Sequence, residues 1–149
     1  MIGLIQRVKQ ASVSVEQQII GQIGDGALLL LGVEAHDSEL NAQKMVDKLI
    51  KFRMFSDDAG KMNWNIEQIT GDILVVSQFT LVADTTKGNR PGFSRGASPA
   101  HGEAMYNAFI AKLKSRINLP QMRVATGQFG ADMQVALVND GPVTFSLQT

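Results

Sequence analysis

The segment ILVVSQFTLV, Ile73 to Val82, decides the fold. Branched and aromatic apolar residues fill it and Gly71-Asp72 supplies a turn before it, so it reads as the strongest strand of the chain. Toward the N-terminus, Ala27 to Val33 (ALLLLGV) reads as a fully buried strand, led in by Gly21, Gly24 and Gly26. Met1 to Val15 reads as another, with Val13 and Val15 alternating against Ser12 and Ser14. Between them and the central strand a helix starts at a cap, Asp37 or Ser38. Its period of 3.6 is carried by Ala42, Met45, Val46, Leu49, Ile50 and the stem of Arg53. Asp57-Asp58-Ala59-Gly60 turns the chain after it. On the other side, Ala83 to Ala97 holds Gly88, Pro91, Gly92 and Gly96 and has no apolar period. It reads as a long loop, and such loops in small domains usually carry function or move. Ser98-Pro99 opens a second helix along Met105, Phe109, Leu113 and Ile117, stopped by Asn118-Leu119-Pro120. Met133 to Val138 and Val143 to Leu147 are strands flanking Asn139-Asp140-Gly141-Pro142. About six strands and two long helices, not in strict alternation, predict a single α+β domain over residues 1–149 with a curled, mostly antiparallel sheet.

Composition narrows the function. The 149 residues are 44% hydrophobic and 19% charged, which is globular rather than disordered. No apolar run approaches the roughly 20 residues of a membrane span, and MIGLIQRVKQ lacks the marks of a signal peptide, so a cytoplasmic protein is expected. There is no cysteine, which excludes thiolate catalysis and zinc–cysteine sites. Net charge is zero, yet between Thr85 and Arg123 stand seven basic residues, Lys87, Arg90, Arg95, Lys112, Lys114, Arg116 and Arg123, against Glu103 alone. That asymmetry can give a basic face suited to a limited phosphate contact, although charge alone favours an ordinary solvated helix surface.

Conventional catalysts are few. His36 and His101 are the only histidines and have no metal-ligand spacing, so no metal and no cofactor are expected. No serine sits in a nucleophile elbow, and no glycine-rich phosphate loop is present. Two polar insertions stand out. In Ser77-Gln78-Phe79-Thr80-Leu81, a regular strand places Gln78 and Thr80 on the face of Leu74 and Val76, where buried polar groups either tie down a loop or point into a site. Asn139 to Thr144, NDGPVT, is ordinary turn chemistry between strands, with a Gly-Pro bond that is free to be cis.

At these two motifs the chain resembles the D-aminoacyl-tRNA deacylases, whose signatures are SQFTL and NxGPVT. The MIGLIQRV start with Arg7 and the GNRPGFS loop, Gly88 to Ser94, fit as well, so the resemblance covers essentially the whole chain. It implies a homodimer of barrel-like subunits with active sites at the interface. Gly141-Pro142 would be cis, reach into the other subunit's pocket and receive the substrate's amino group, with Arg7 holding that motif. Ser77, Gln78, Phe79 and Thr80 would line the pocket. The implied reaction is hydrolysis of D-aminoacyl-tRNA, and of glycine mischarged on alanine tRNA, assisted by the tRNA ribose hydroxyl, with L-aminoacyl-tRNA spared. Thr80 as a nucleophile lacks a visible base. Lys87, Arg90 and Arg95 are the expected tRNA contacts. The rivals are a non-catalytic RNA-binding module and a hydrolase of small D-amino acid esters or peptides.

Overall fold

Strand β1 (Ile2–Val15) is the spine of the sheet. The computed structural model describes residues 1–86 and 88–149. One edge of β1 pairs antiparallel with β8 (Gln134–Gln148) from Ile2 opposite Gln148 to Ser14 opposite Gln134. Along the other edge β2 (Gln18–Ile23) and β3 (Gly26–Gly32) return end to end, β2 against residues 11–15 and β3 against residues 2–8. β6 (Asp72–Ser77) joins β3 in parallel, and β7 (Val124–Thr126) joins β6 in parallel. Asp72 then ties the far ends together: its carboxylate accepts from the Arg123 N–H at 2.8 Å and the Gly24 N–H at 3.4 Å. The mixed sheet thus curls into a nearly closed barrel. β4 (Phe55–Ser56) and β5 (Met62–Trp64) form a separate short hairpin.

Period-2 alternation in β3 and β6 buries both faces, which is why these runs are continuously apolar. Leu29, Leu31, Ile73 and Val75 face the helices, while Leu28, Leu74 and Val76 join Val8, Val13 and Ile23 in a second cluster. Helix α1 (Glu39–Lys51) buries Ala42, Met45, Val46, Leu49 and Ile50, as its period predicts. It starts at Ser38, whose N–H donates to the Asn41 side chain at 3.0 Å. Arg53 departs from the expectation. It lies beyond the helix and is exposed, its guanidinium donating to Asn63. Helix α2 (Pro99–Arg116) buries Gly102, Tyr106, Phe109 and Leu113, so its buried ribbon is rotated from the expected one and Met105 and Ile117 are half-buried. Among the described residues no helix is long and apolar enough to cross a membrane.

A buried charge cluster pins the helix end of the barrel. The α-amino group of Met1 donates to Glu34 at 3.1 Å and to Asp37 at 2.5 Å. Arg95 reaches Glu34 from the other side at 2.8 Å. With the Ala35 N–H to the Arg95 carbonyl and the Ala97 N–H to the Val33 carbonyl, the cluster anchors the end of the Ala83 to Ala97 loop beside α2.

Candidate active site

The central strand is shorter than its apolar run. β6 stops at Ser77, the Gln78 N–H caps Leu31 at 2.8 Å, and residues 79–82 wind into a 3-10 helix. This corrects the expectation of a regular strand to Val82: Gln78 is half-buried, Thr80 is exposed, and neither shares the face of Leu74 and Val76. The break has a chemical result. Leu81 N–H bonds back to Gln78, while the N–H groups of Phe79 and Thr80 stand at the helix start, where no intrahelical acceptor exists. The Gln78 side-chain amide donates to the Thr80 hydroxyl. An amide is not a base, and among the described residues no histidine or carboxylate bonds to Thr80.

Beside this helix start lies a largely apolar cavity of about 400 Å³, lined by Leu31, Val33, Ser77, Phe79, Ala97, Phe129 and Met133 among others. Phe79 is 65% exposed and Phe93 42% exposed. Their rings meet at 5.3 Å on the rim, so the loop contributes an aromatic to the mouth of the cavity. Behind the cavity Tyr106 donates its buried hydroxyl to the Val75 carbonyl at 2.9 Å, and burial pushes that phenol up to about 12.

The second motif lies elsewhere. Residues 139–144 are not a turn between two strands: β8 runs straight through them. Asn139 pairs with Val8 and Thr144 with Gln6, so four residues, 140–143, stand opposite Arg7 alone. The surplus projects as a bulge with Gly141 and Pro142 exposed, their peptide bond cis. Its base is clamped by Asn139, whose side chain donates to the Thr144 hydroxyl at 2.9 Å and accepts the Val143 N–H at 3.0 Å. Arg7 holds it from beneath, Nε donating to the Asp140 carbonyl and Nη1 to the Met54 carbonyl, each at 3.0 Å. Gly141 has φ +130°, and a Cβ there meets Val143 at 2.7 Å and the Arg7 guanidinium at 2.9 Å. Arg7 stands out in sequence only through the family pattern; Asn139 and Thr144, which build the bulge, carry no sequence signal beyond belonging to the motif.

A single chain does not bring the two motifs together. Ser77 is level with Leu31, and Leu31 with Gly3, whereas the bulge is level with Arg7. That is four residues along the strands, roughly 13 Å, and three strand spacings across, roughly 14 Å.

Of the expected tRNA contacts, Arg90 is exposed, Arg95 pairs with Glu34, and Lys87 lies outside the described residues. Lys112 pairs with Glu39 at 3.0 Å and Arg116 with Glu67 at 2.8 Å, so much of the basic excess is neutralised by acids from other segments. Glu34, His36 and Asp37 bring three potential metal ligands within 4.8 Å among the described residues. Glu34 and Asp37 are already taken by the Met1 amine, and Glu34 by Arg95 as well, whose hydrogen bond holds the Glu34 carboxyl below its ordinary value against the opposing effect of burial. His101 supports the start of α2 through a 2.9 Å bond from Nε2 to the Asp37 carbonyl.

The chain matches the model of the D-Tyr-tRNA(Tyr) deacylase family over residues 4–148. It is 63% identical over 145 residues to the D-aminoacyl-tRNA deacylase of Alteromonas mediterranea, 97% of each chain being covered. To that of Cellvibrio japonicus it is 55% identical, with 99% of each covered. Among solved structures, the c-Myc DNA Unwinding Element Binding Protein superposes with a TM-score of 0.92 at 37% identity, covering 100% of this chain and 99% of that one. A barrel with this split pair of motifs is the scaffold of an ester-hydrolysing enzyme. The chain belongs to the D-Tyr-tRNA(Tyr) deacylase family, a family of ester hydrolases.

Proposed function

We propose that the chain edits tRNA, hydrolysing D-aminoacyl-tRNA as a homodimer with two sites at the subunit interface and no cofactor. The observation that carries this reading is the separation of the motifs. The cavity beside Phe79 and Thr80 has free donors, and the Gly141-Pro142 bulge, which has the carbonyls, projects from a different part of the same surface. Among the described residues β8 pairs with β1 alone, leaving a 15-residue edge on which Val138 is 47% exposed. Long apolar edges are normally covered, and a second copy would cover this one while delivering its bulge to the first copy's cavity.

The chemistry then needs little from side chains. Water adds to the ester carbonyl carbon, and the Phe79 and Thr80 N–H groups hold the oxygen that becomes negative. The bond from that carbon to the ribose oxygen breaks, and a proton from the water reaches the leaving oxygen through the neighbouring ribose hydroxyl. Positioning of this kind contributes several kcal/mol, up to roughly 7–11 in favourable cases. Ser77 and Phe79 line the cavity, whereas Gln78 and Thr80 stand outside its wall; Thr80 does not attack, because its hydroxyl has an amide for a partner. Carbonyls of Gly141 and Pro142 from the second copy fix the amino group, so one direction at the substrate Cα opens outward and the other meets main chain. An L side chain must take the blocked direction, where overpacking is costly; glycine has none to block and is hydrolysed.

Release of amino acid from D-tyrosyl-, L-tyrosyl- and glycyl-tRNA tests the reading: the first and third are expected to be cleaved, the second spared. The dimer is tested by mixing two inactive chains, Phe79→Pro and Gly141→Ala. Half of the random dimers are mixed and each has one intact site, so about a quarter of the parental sites return. Cleavage of the L ester at a comparable rate, or no recovery on mixing, overturns it.

A further inference from the structure

We infer that Phe79 and Phe93 form a stacking platform at the cavity mouth for the base of the nucleotide that precedes the terminal adenosine. The enzyme then grips single-stranded RNA as well as the ester. The inference deepens the reading above, that the cavity holds the aminoacyl end of a tRNA, and rests on it. Both rings are exposed, and they meet at 5.3 Å with 46° between their planes. The other large exposed apolar side chains among the described residues, Ile19, Ile20, Leu40, Met62, Leu119 and Val138, lie on β2, α1, β5, beyond α2 and on β8, and none lines this cavity. An exposed apolar pair beside a ligand cavity marks an interaction surface.

Backbone, not burial, holds the Phe93 ring in place. Asp84 and Gly92 exchange N–H bonds at 2.7 and 2.9 Å, closing the loop directly before Phe93. Directly after it, the Gly96 N–H donates to the Phe93 carbonyl at 3.0 Å, and Arg95 is tied to Glu34. Phe79 is fixed in turn as the first residue of the 3-10 helix. A platform ordered before binding loses little freedom when a base lands on it. The substrate supplies that base. A cavity of about 400 Å³ takes one small ligand, and a tRNA leaves its terminal adenosine through the 5′ phosphate, so the preceding cytidine lies outside, at the rim. Every base has a π-face, so stacking there adds affinity without reading which tRNA is bound. Arg90, exposed in the same loop with no ion pair among the described residues, supplies a charge for the backbone phosphates. The GNRPGFS loop, which the ester chemistry leaves unused, thereby has a role.

Phe93 is the ring to test, because Phe79 also carries a backbone donor. The D-tyrosyl esters of adenosine, of cytidylyl-adenosine and of tRNA are compared on the parent, Phe93→Leu and Phe93→Tyr. In the parent, KM is expected to fall about tenfold from the adenosine to the cytidylyl-adenosine ester, in the lower range for one stacked base. Phe93→Leu is expected to lose that gain and to raise KM for D-tyrosyl-tRNA about tenfold, while KM for the adenosine ester changes about twofold or less. Phe93→Tyr keeps a π-face and is expected to follow the parent. The non-hydrolysable amides of the adenosine and cytidylyl-adenosine esters are expected to show the same contrast in calorimetry. No gain from the added cytidine in the parent overturns the inference. So does an equal loss on both esters in Phe93→Leu, which makes the ring part of the cavity, or no loss on either. Dissociation of the dimer in Phe93→Leu also overturns it, since the rings are then covered by the second copy. A parent that binds both amides but does not cleave D-tyrosyl-tRNA refutes the functional reading, while the two amides still decide whether the rings take the base. A parent that binds neither amide overturns both.

Discussion

Phe79→Pro isolates the backbone donor from the side chain that carries it. Position 79 begins the 3-10 helix, where proline's fixed φ fits and the missing N–H breaks no intrahelical bond. Gln78 before it has φ −141° and ψ 82°, outside the helical region that a following proline disfavours. The fold should therefore survive, while the N–H aimed at the developing oxyanion is deleted. Removing one such donor costs about 10²–10³ in kcat. The substitution also removes the ring paired with Phe93, so Phe79→Leu is the control: it keeps the N–H and loses an aromatic contact worth about 0.5–1.5 kcal/mol, which corresponds to about 2- to 13-fold. Thr80→Ala keeps its N–H and is expected to retain most activity. Single-turnover release of labelled tyrosine from D-tyrosyl-tRNA, with a thermal melt of each variant, reads these differences. If Phe79→Pro stays within tenfold of the parent, or Phe79→Leu falls as far as the proline variant, the backbone is not the oxyanion site. A Thr80→Ala loss of several orders of magnitude restores the threonine as nucleophile.

Arg7→Lys keeps the charge but cannot bond to both the Asp140 and Met54 carbonyls, so it is expected to destabilise by about 1–2 kcal/mol in urea titration and to lower activity by more than that stability loss explains. Glu34→Gln tests the buried cluster through pH. The Glu34 carboxyl is held below its ordinary 4.5, first by the hydrogen bond from Arg95, so its contribution is complete above that value and is lost as pH falls through the lowered one. The melting-temperature gap between parent and variant should be open at neutral pH and narrow as pH falls below 4.5; a constant gap contradicts it. Arg90→Glu, at an exposed position with no ion pair among the described residues, should weaken tRNA binding and flatten its salt dependence, whereas Lys112→Glu, at a residue already paired with Glu39, should change binding less in a filter-binding titration.

Much of this architecture was readable from pattern. α1 follows its period from Ala42 to Ile50, with Arg53 the exception, and the apolar runs of β3 and β6 announce strands buried on both faces. What escaped was set by backbone geometry. β2 is announced by no turn residue, because the chain reverses through Glu16 and Gln17 at φ +49° and +65°, values those residues rarely adopt. The segment after Ser77 keeps a strand-like composition yet coils, since β7 at the sheet's edge pairs only with residues 73–75 and Gln78 bonds to Leu31 instead. Asn-Asp-Gly-Pro looks like a turn by itself; its true setting depends on pairing with a strand more than 130 positions away. The two motifs stand out in the sequence, but their spatial separation is legible only in the register of the sheet.

That register has a consequence for how the protein is made. Arg7 and the Asp140 carbonyl it holds are 133 residues apart, and Thr149 hydrogen-bonds back to Met1 at 3.1 Å. On the ribosome, β1 emerges first and its β2/β3 edge is covered within a few dozen residues. The edge meant for β8 then waits roughly 6–25 seconds at ordinary synthesis rates. During that interval the nascent chain exposes an open strand and has neither the bulge nor its clamp. The Gly141-Pro142 bulge is thus assembled last, after the residues that line the cavity. Premature termination before β8 leaves a partial barrel that lacks the Gly141-Pro142 bulge and the strand that covers the second edge of β1.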